Sequence, residues 1–206
     1  MHVSKDPLNL IITGVGGQGN VLASQILGQM FVHKGYLITI GETYGASQRG
    51  GSVMSHIRVS KQDNYAPLIP NGQCDFVVGL EPMEALRVLD HYGNPEILML
   101  VNTRPVLSMN VMSGEAQYPD MDVILNEINN LCRNMWTLNA TEMALEMGNP
   151  IFTNIIMIGA LSALNFLPFD RKTFKELIID ILPDYHLETN LKAFDKGRNA
   201  IQNTTS

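Results

Sequence analysis

Residues 8–32 confine the fold more tightly than any other stretch. A short apolar run, Leu8-Asn9-Leu10-Ile11-Ile12-Thr13, stops at Gly14-Val15-Gly16-Gly17-Gln18-Gly19, and residues 21–32 then carry apolar side chains at helical spacing. The order is strand, tight turn, helix. The turn fits G-x-G-x-x-G in the setting where that pattern has a physical meaning. Without Cβ atoms the backbone turns sharply and can approach a phosphate, and the unpaired amides of the helix start point towards it. A Walker-type phosphate loop is excluded, because no Gly-Lys-Ser/Thr follows. Glycines that only let the helix pack closely on a sheet would give the same spelling, so the turn leaves ligand binding and packing both open.

Residues 36–40 read as a second strand after the helix stop at Lys34-Gly35, which predicts a β-α-β unit with a right-handed crossover over 8–40. Glu42, just past that strand, stands where a dinucleotide-binding domain places an acidic residue for the ribose hydroxyls. Residues 41–51 are glycine-rich and polar and predict a loop. Residues 53–59 alternate as a half-exposed strand, with His56 and Arg58 on one side. The compact apolar runs 75–80 and 97–101 predict strands covered on both faces, joined by a helix over 83–89. Apolar spacing then predicts a helix over 120–132, a short strand at 136–138, and helices over 140–147, 151–164, 173–182 and 187–201. The fold class expected is α/β: a Rossmann-like three-layer sandwich with a mostly parallel sheet flanked by helices and a helical C-terminal third. A single domain over residues 1–206 is expected, with its core at about 8–164 and a helical segment at about 165–206.

Composition narrows the function. The formal net charge is −6 with no Lys/Arg cluster, which argues against a nucleic-acid partner. Cys74 and Cys132 are far apart and have no CxxC partner, so this chain alone builds neither a zinc site nor a cysteine-bound iron–sulfur cluster; both are expected to be buried thiols. The apolar tract 155–167 is interrupted by Gly159, Ser162 and Asn165 and reads as a buried or interface helix; no membrane association and a cytoplasmic location are expected. Twelve methionines suit either core filling or an adaptable contact surface.

The second loop, Gly41-Glu42-Thr43-Tyr44-Gly45-Ala46-Ser47-Gln48-Arg49-Gly50-Gly51-Ser52, combines glycines with a guanidinium and several hydrogen-bonding side chains, which suits phosphate or carboxylate recognition. A solvated surface loop or a subunit contact is the plainer alternative. His56 has no positioned partner visible in the sequence and reads as an ordinary hydrogen-bonded histidine. Gly14, Gly16, Gly17, Gln18 and Gly19 with Tyr44, Ser47, Gln48, Arg49, Gly50 and Gly51 form the candidate anion site. The expected geometry has two loops meeting at the carboxyl ends of adjacent parallel strands.

These two loops, with Leu22-Ala23-Ser24 after the first, resemble the signature loops of the gamma-type subunit of 2-oxoacid:ferredoxin oxidoreductases, the pyruvate/ketoisovalerate oxidoreductase catalytic domain family. The Ser-Gln-Arg-Gly-Gly-Ser stretch is similar to that of the indolepyruvate branch, where the subunit is called beta. The segment 75–87, Asn102-Thr103, Gly148-Asn149, Asn154 and Gly159 also fall where the family has its later motifs, and this adds Asn154 to the candidate site. The resemblance implies a complex of anaerobic metabolism that converts a 2-oxoacid, coenzyme A and oxidised ferredoxin to an acyl-CoA, carbon dioxide and reduced ferredoxin. Thiamine diphosphate, magnesium and iron–sulfur clusters would belong to partner subunits, with ferredoxin reached through the complex. This chain would bind no cofactor of its own and would contribute to the coenzyme A side and to assembly; its catalytic residues are not identified. A homodimer of the isolated chain, an assembly subunit with no ligand, and a stand-alone NAD-dependent reductase using Glu42 stay open.

Overall fold

The computed structural model describes residues 5–45, 51–107, 109–181 and 187–204. Six strands form one sheet: β1 (Leu8–Val15), β2 (Leu37–Tyr44), β3 (Ser52–Ser60), β4 (Phe76–Gly79), β5 (Leu98–Asn102) and β6 (Asn134–Leu138), in the spatial order β2-β3-β1-β4-β5-β6. β1, β4, β5 and β6 pair in parallel, whereas β3 runs antiparallel to both β1 and β2. β2 therefore points the same way as β1, but β3 lies between them.

This topology corrects three expectations. The strands joined by the first helix are not neighbours, because β2 returns through a hairpin to β3, and it is β3 that pairs with β1. β2 also continues to Tyr44, so Gly41, Glu42, Thr43 and Tyr44 are strand residues opposite His56, Ser55, Met54 and Val53 and not part of a loop. Finally, β3 is not half exposed: His56 and Arg58 are 0% and 8% exposed. As an interior strand, β3 has its polar side covered by the segment after it, and Ile69 N donates to His56 Nδ1 at 3.4 Å while Tyr92 packs on the imidazole.

Alternation along the strands sends side chains to two cores. Leu10, Ile12, Ile57, Val59, Phe76, Val78 and Leu100 face one side; Ile11, Val77, Met99 and Val101 face the other. The second face is covered by α2 (Pro82–Tyr92) and α4 (Met121–Leu131), which supply Ala85, Val88, Ile124 and Ile128. The first face carries α1 (Asn20–His33) and α6 (Thr153–Ala163). A short α3 (Met109–Met112) follows β5, and α5 (Ala140–Glu146) and a 3-10 turn (Pro150–Phe152) lead into α6.

Every residue of α6 is buried, so the helix has no solvent face, and the absence of polar periodicity in its sequence follows from that. Its outer cover is α8 (Leu187–Thr204), with α7 (Arg171–Ile181) alongside, where Phe174 stacks on Phe194 at 4.3 Å. The α6 and α8 backbones meet at two glycines. A Cβ on Gly159 would come to 2.0 Å of Phe194 O, and one on Gly197 to 1.8 Å of Ile156 O. Among the described residues no helix is long and apolar enough to cross a membrane.

Candidate functional site

The glycine turn joins β1 to α1 at the carboxyl edge of the parallel strands. Gly17 (φ +102°) and Gly19 (φ +82°) occupy left-handed backbone that a side chain would strain, and Gly19 is the N-cap of α1 without offering a side-chain bond. Gln18 closes the turn on itself: its amide N donates to Val15 O (3.1 Å), its Oε1 accepts from Val15 N (2.7 Å), and its Nε2 donates to Leu80 O (3.0 Å) at the end of β4. Asn102 Nδ2 donates to the same carbonyl at 2.9 Å, so the ends of β1, β4 and β5 are stitched together through Leu80.

Two of the glycines serve packing. A Cβ at Gly14 would lie 2.5 Å from Gln18 Oε1, and one at Gly19 would lie 2.4 Å from Asn154 Nδ2. Asn154 is itself buried at the start of α6, and its Nδ2 faces Gly19 O at 3.4 Å. Gly14, Gln18 and Asn154 are thus engaged inside the molecule. Around Gly17, by contrast, a Cβ would meet no atom within 4 Å, and this side of the turn opens outward.

The second loop meets the first through β3. Gly16 N donates to Gly51 O at 2.9 Å, and Asn20 Nδ2 donates to Val53 O at 2.9 Å. A cavity of about 330 Å³ lies at this junction, lined by Val15, Gly16, Gly17, Gly19, Asn20, Val21, Tyr44 and Val53. Of the sequence-predicted residues, Gly16, Gly17, Gly19 and Tyr44 border the cavity, and Gly51 ties its rim. Ser47, Gln48, Arg49 and Gly50 lie outside the described residues. Val15, Asn20, Val21 and Val53 escaped sequence reasoning; Val15 lies within the glycine turn and Asn20 directly after it, which was the available signal. The cavity is walled by backbone and apolar side chains, with no ionisable group among its described residues except the exposed Tyr44 phenol.

Glu42 points elsewhere. Its Oε1 accepts from Ser24 Oγ at 3.0 Å and its Oε2 from Ser55 Oγ at 2.6 Å, so both oxygens are spent between α1 and β3. That removes the feature on which the nicotinamide reading rested. Glu81, at the end of β4, is 1% exposed and works as a tether: Oε2 accepts from Glu84 N at 2.8 Å, while Oε1 accepts from Val106 N at 3.3 Å and from Tyr118 Oη at 2.5 Å. Burial and this bond to a carboxylate push the Tyr118 phenol above its ordinary range. Cys74 and Cys132 are free thiols; Cys74 is buried, but Cys132 is only partly so, against expectation, because it follows the last turn of α4 at the sheet edge. Among the described residues no group of three His, Cys, Asp or Glu side chains could hold a metal ion.

A family model described as pyruvate ferredoxin/flavodoxin oxidoreductase matches residues 9–200. The chain belongs to this family. Indolepyruvate oxidoreductase subunit IorB of Archaeoglobus fulgidus is 36% identical over 192 residues, covering 93% of this chain and 94% of that one. The pyruvate oxidoreductase subunit PORC of Thermotoga maritima has the same fold, with a TM-score of 0.70 at 20% identity over 95% of this chain and 97% of its own. A 2-oxoglutarate:ferredoxin oxidoreductase from Magnetococcus marinus, solved with 2-oxoglutarate, coenzyme A and succinyl-CoA bound, matches 97% of this chain with a TM-score of 0.75 at 22% identity. The match occupies 32% of that longer polypeptide, so the fold of this family member also exists as one part of a larger chain.

Proposed function

We propose that this chain is the non-cluster small subunit of a complex that oxidatively decarboxylates a 2-oxoacid to an acyl-CoA with ferredoxin as electron acceptor, and that its joined loops contribute to coenzyme A binding and to assembly. The observation that supports this reading is the Gly16–Gly51 junction, which joins the glycine turn to the start of β3 beside one cavity at the carboxyl edge of the sheet. In that cavity the free backbone of the turn would face a ligand's amide or phosphate groups, Val15, Val21 and Val53 would take an apolar portion, and Arg49 would supply the cationic partner that the described lining lacks. Thiamine diphosphate, magnesium and the iron–sulfur clusters would reside in partner subunits, since two separated cysteines cannot furnish a four-thiolate cluster. Because the relative quoted above is named for indolepyruvate, an arylpyruvate is the first substrate to assay.

The test is reconstitution with the partner subunits. Arg49→Ala should raise the KM for coenzyme A several-fold while the KM for the 2-oxoacid stays put; unchanged coenzyme A kinetics together with unchanged assembly would refute the role. A pure assembly role is the second reading, favoured by the internal engagement of Gly14, Gln18 and Asn154. It predicts that Arg49→Ala weakens assembly and leaves the KM alone.

A further inference from the structure

A second cavity, of about 460 Å³, lies at the opposite, amino-terminal edge of the parallel strands, bordered by Lys5, Asn9, Arg58, Tyr65, Asp75 and Glu96 among others. Its size is that of a small-molecule pocket. Arg58 is 8% exposed, and its guanidinium is held rigidly. Nε donates to Asn9 Oδ1 at 3.0 Å, Nη1 donates to Ala66 O at 3.1 Å and approaches Leu68 O at 3.4 Å, and the Tyr65 ring centre lies 4.9 Å from Cζ. All these partners are neutral. Among the described residues Arg58 forms no ion pair, and its Nη2 donates no hydrogen bond.

The two carboxylates on the rim do not compensate it, because each already has its own cation. Asp75 takes Lys5 Nζ and the Asn9 amide, and Glu96 takes Arg133 at 2.8 Å. The cation left without a carboxylate of its own is therefore Arg58, the most deeply buried cation of the pocket. A buried charge without a counter-ion is costly, and a guanidinium nitrogen left free in a fixed plane is matched by a carboxylate oxygen. A phosphate dianion fits less well: the two cations of the lining, Lys5 and Arg58, are matched in number by Asp75 and Glu96, and these rim carboxylates would repel its second charge.

We propose that this cavity binds a small organic monocarboxylate, the carboxylate on Arg58 Nη2 and the remainder against Tyr65 and Pro7, which also lines the cavity. The site is remote from the glycine turn and does not depend on the reading of the carboxyl-edge cavity.

The test is titration calorimetry of the full chain with phenylacetate, acetate, benzyl alcohol and inorganic phosphate as probes. Expected are saturable binding of phenylacetate, weaker binding of acetate, and at least tenfold loss of both in Arg58→Gln. Tyr65→Ala, which leaves the bonds to Asn9 and the loop carbonyls in place, should weaken phenylacetate several-fold and acetate little; it decides the matter if Arg58→Gln does not fold. The proposal is overturned if phenylacetate shows no saturable binding to the folded parent chain, if Arg58→Gln binds equally well, if benzyl alcohol matches phenylacetate, or if phosphate binds more tightly than either carboxylate.

Discussion

The crossing of α6 and α8 makes Gly197→Ala the sharpest test of the packing. The new methyl would lie 1.8 Å from Ile156 O, 2.7 Å from its carbonyl carbon and 3.0 Å from Ala160 N, all of them backbone atoms that cannot rotate away. Restoring ordinary contact requires the helices to part by about 1.5 Å locally, enough to forfeit much of the dispersion energy of the facing side chains. Overpacking of this kind costs about 1–3 kcal/mol and sometimes more; a rigid obstacle places it at the upper end. Against this, alanine gains about 1 kcal/mol over glycine in helix propensity. The net expectation is a loss of about 2–3 kcal/mol, or roughly 5–10 °C in Tm for a chain of this length. Gly28→Ala is the matched control. It lies in α1, and the nearest atoms to its methyl would be side-chain ones, Ile40 Cδ1 at 2.9 Å, the far end of a side chain that can rotate, and Ile38 Cγ2 at an ordinary 3.6 Å; its Tm should stay within a few degrees of the parent or rise. Thermal unfolding followed by circular dichroism measures both. Equal stability of Gly197→Ala and the parent, or equal losses in the two variants, would refute the argument from backbone contact.

Three further outcomes are expected. Gln18→Ala removes the acceptor of Val15 N and the donor to Leu80 O, and should lower the urea-unfolding free energy by about 1–3 kcal/mol, since a buried amide is left unpaired. Asp170 Oδ1 accepts from Thr173 N and Thr173 Oγ1, both at 2.8 Å, and the backbone bond holds its carboxyl below the ordinary value. Its contribution is therefore complete above the unfolded carboxyl value and fades as pH falls through the lower folded one; Asp170→Ala should cost about 1 kcal/mol at neutral pH and progressively less in acid, measured by denaturation at stepped pH. His56 is buried with Nε2 unpartnered, and burial lowers its pKa from the ordinary 6.5, so the unfolded chain takes up the proton first. Stability should fall as pH drops below that ordinary value, by at most about 1.4 kcal/mol per pH unit, and His56→Phe should flatten this part of the profile.

Much of the architecture was legible because it rests on local pattern. The glycine turn between an apolar run and a helical repeat marked β1 and α1, and the compact runs at 75–80 and 97–101 marked β4 and β5. What failed was pairing order. Nothing local in residues 36–60 says that β2 turns back through a hairpin and places β3 beside β1; that choice is made by tertiary burial. The same burial hid the environment of His56 and Arg58, whose polar identities suggested a wet face, while the cover comes from residues up to Tyr92. At the candidate site, the glycines were visible but their division of labour was not. Gly14 and Gly19 yield space to Gln18 and to Asn154, the latter 135 positions away in the chain for Gly19. Sequence spacing alone cannot separate Gly14, which only yields space, from Gly16 and Gly17, which face the cavity, or from Gly19, which does both.

The wholly enclosed α6 also bears on how the molecule is made. Synthesis runs from the amino end, so this greasy cylinder leaves the ribosome ahead of the helix that shields it, and for that interval its Ile155 to Ala163 stretch is sticky. Nascent chains halted before residue 187 should therefore be clients of holding chaperones, and release should coincide with the arrival of Phe194 and Gly197 on its surface.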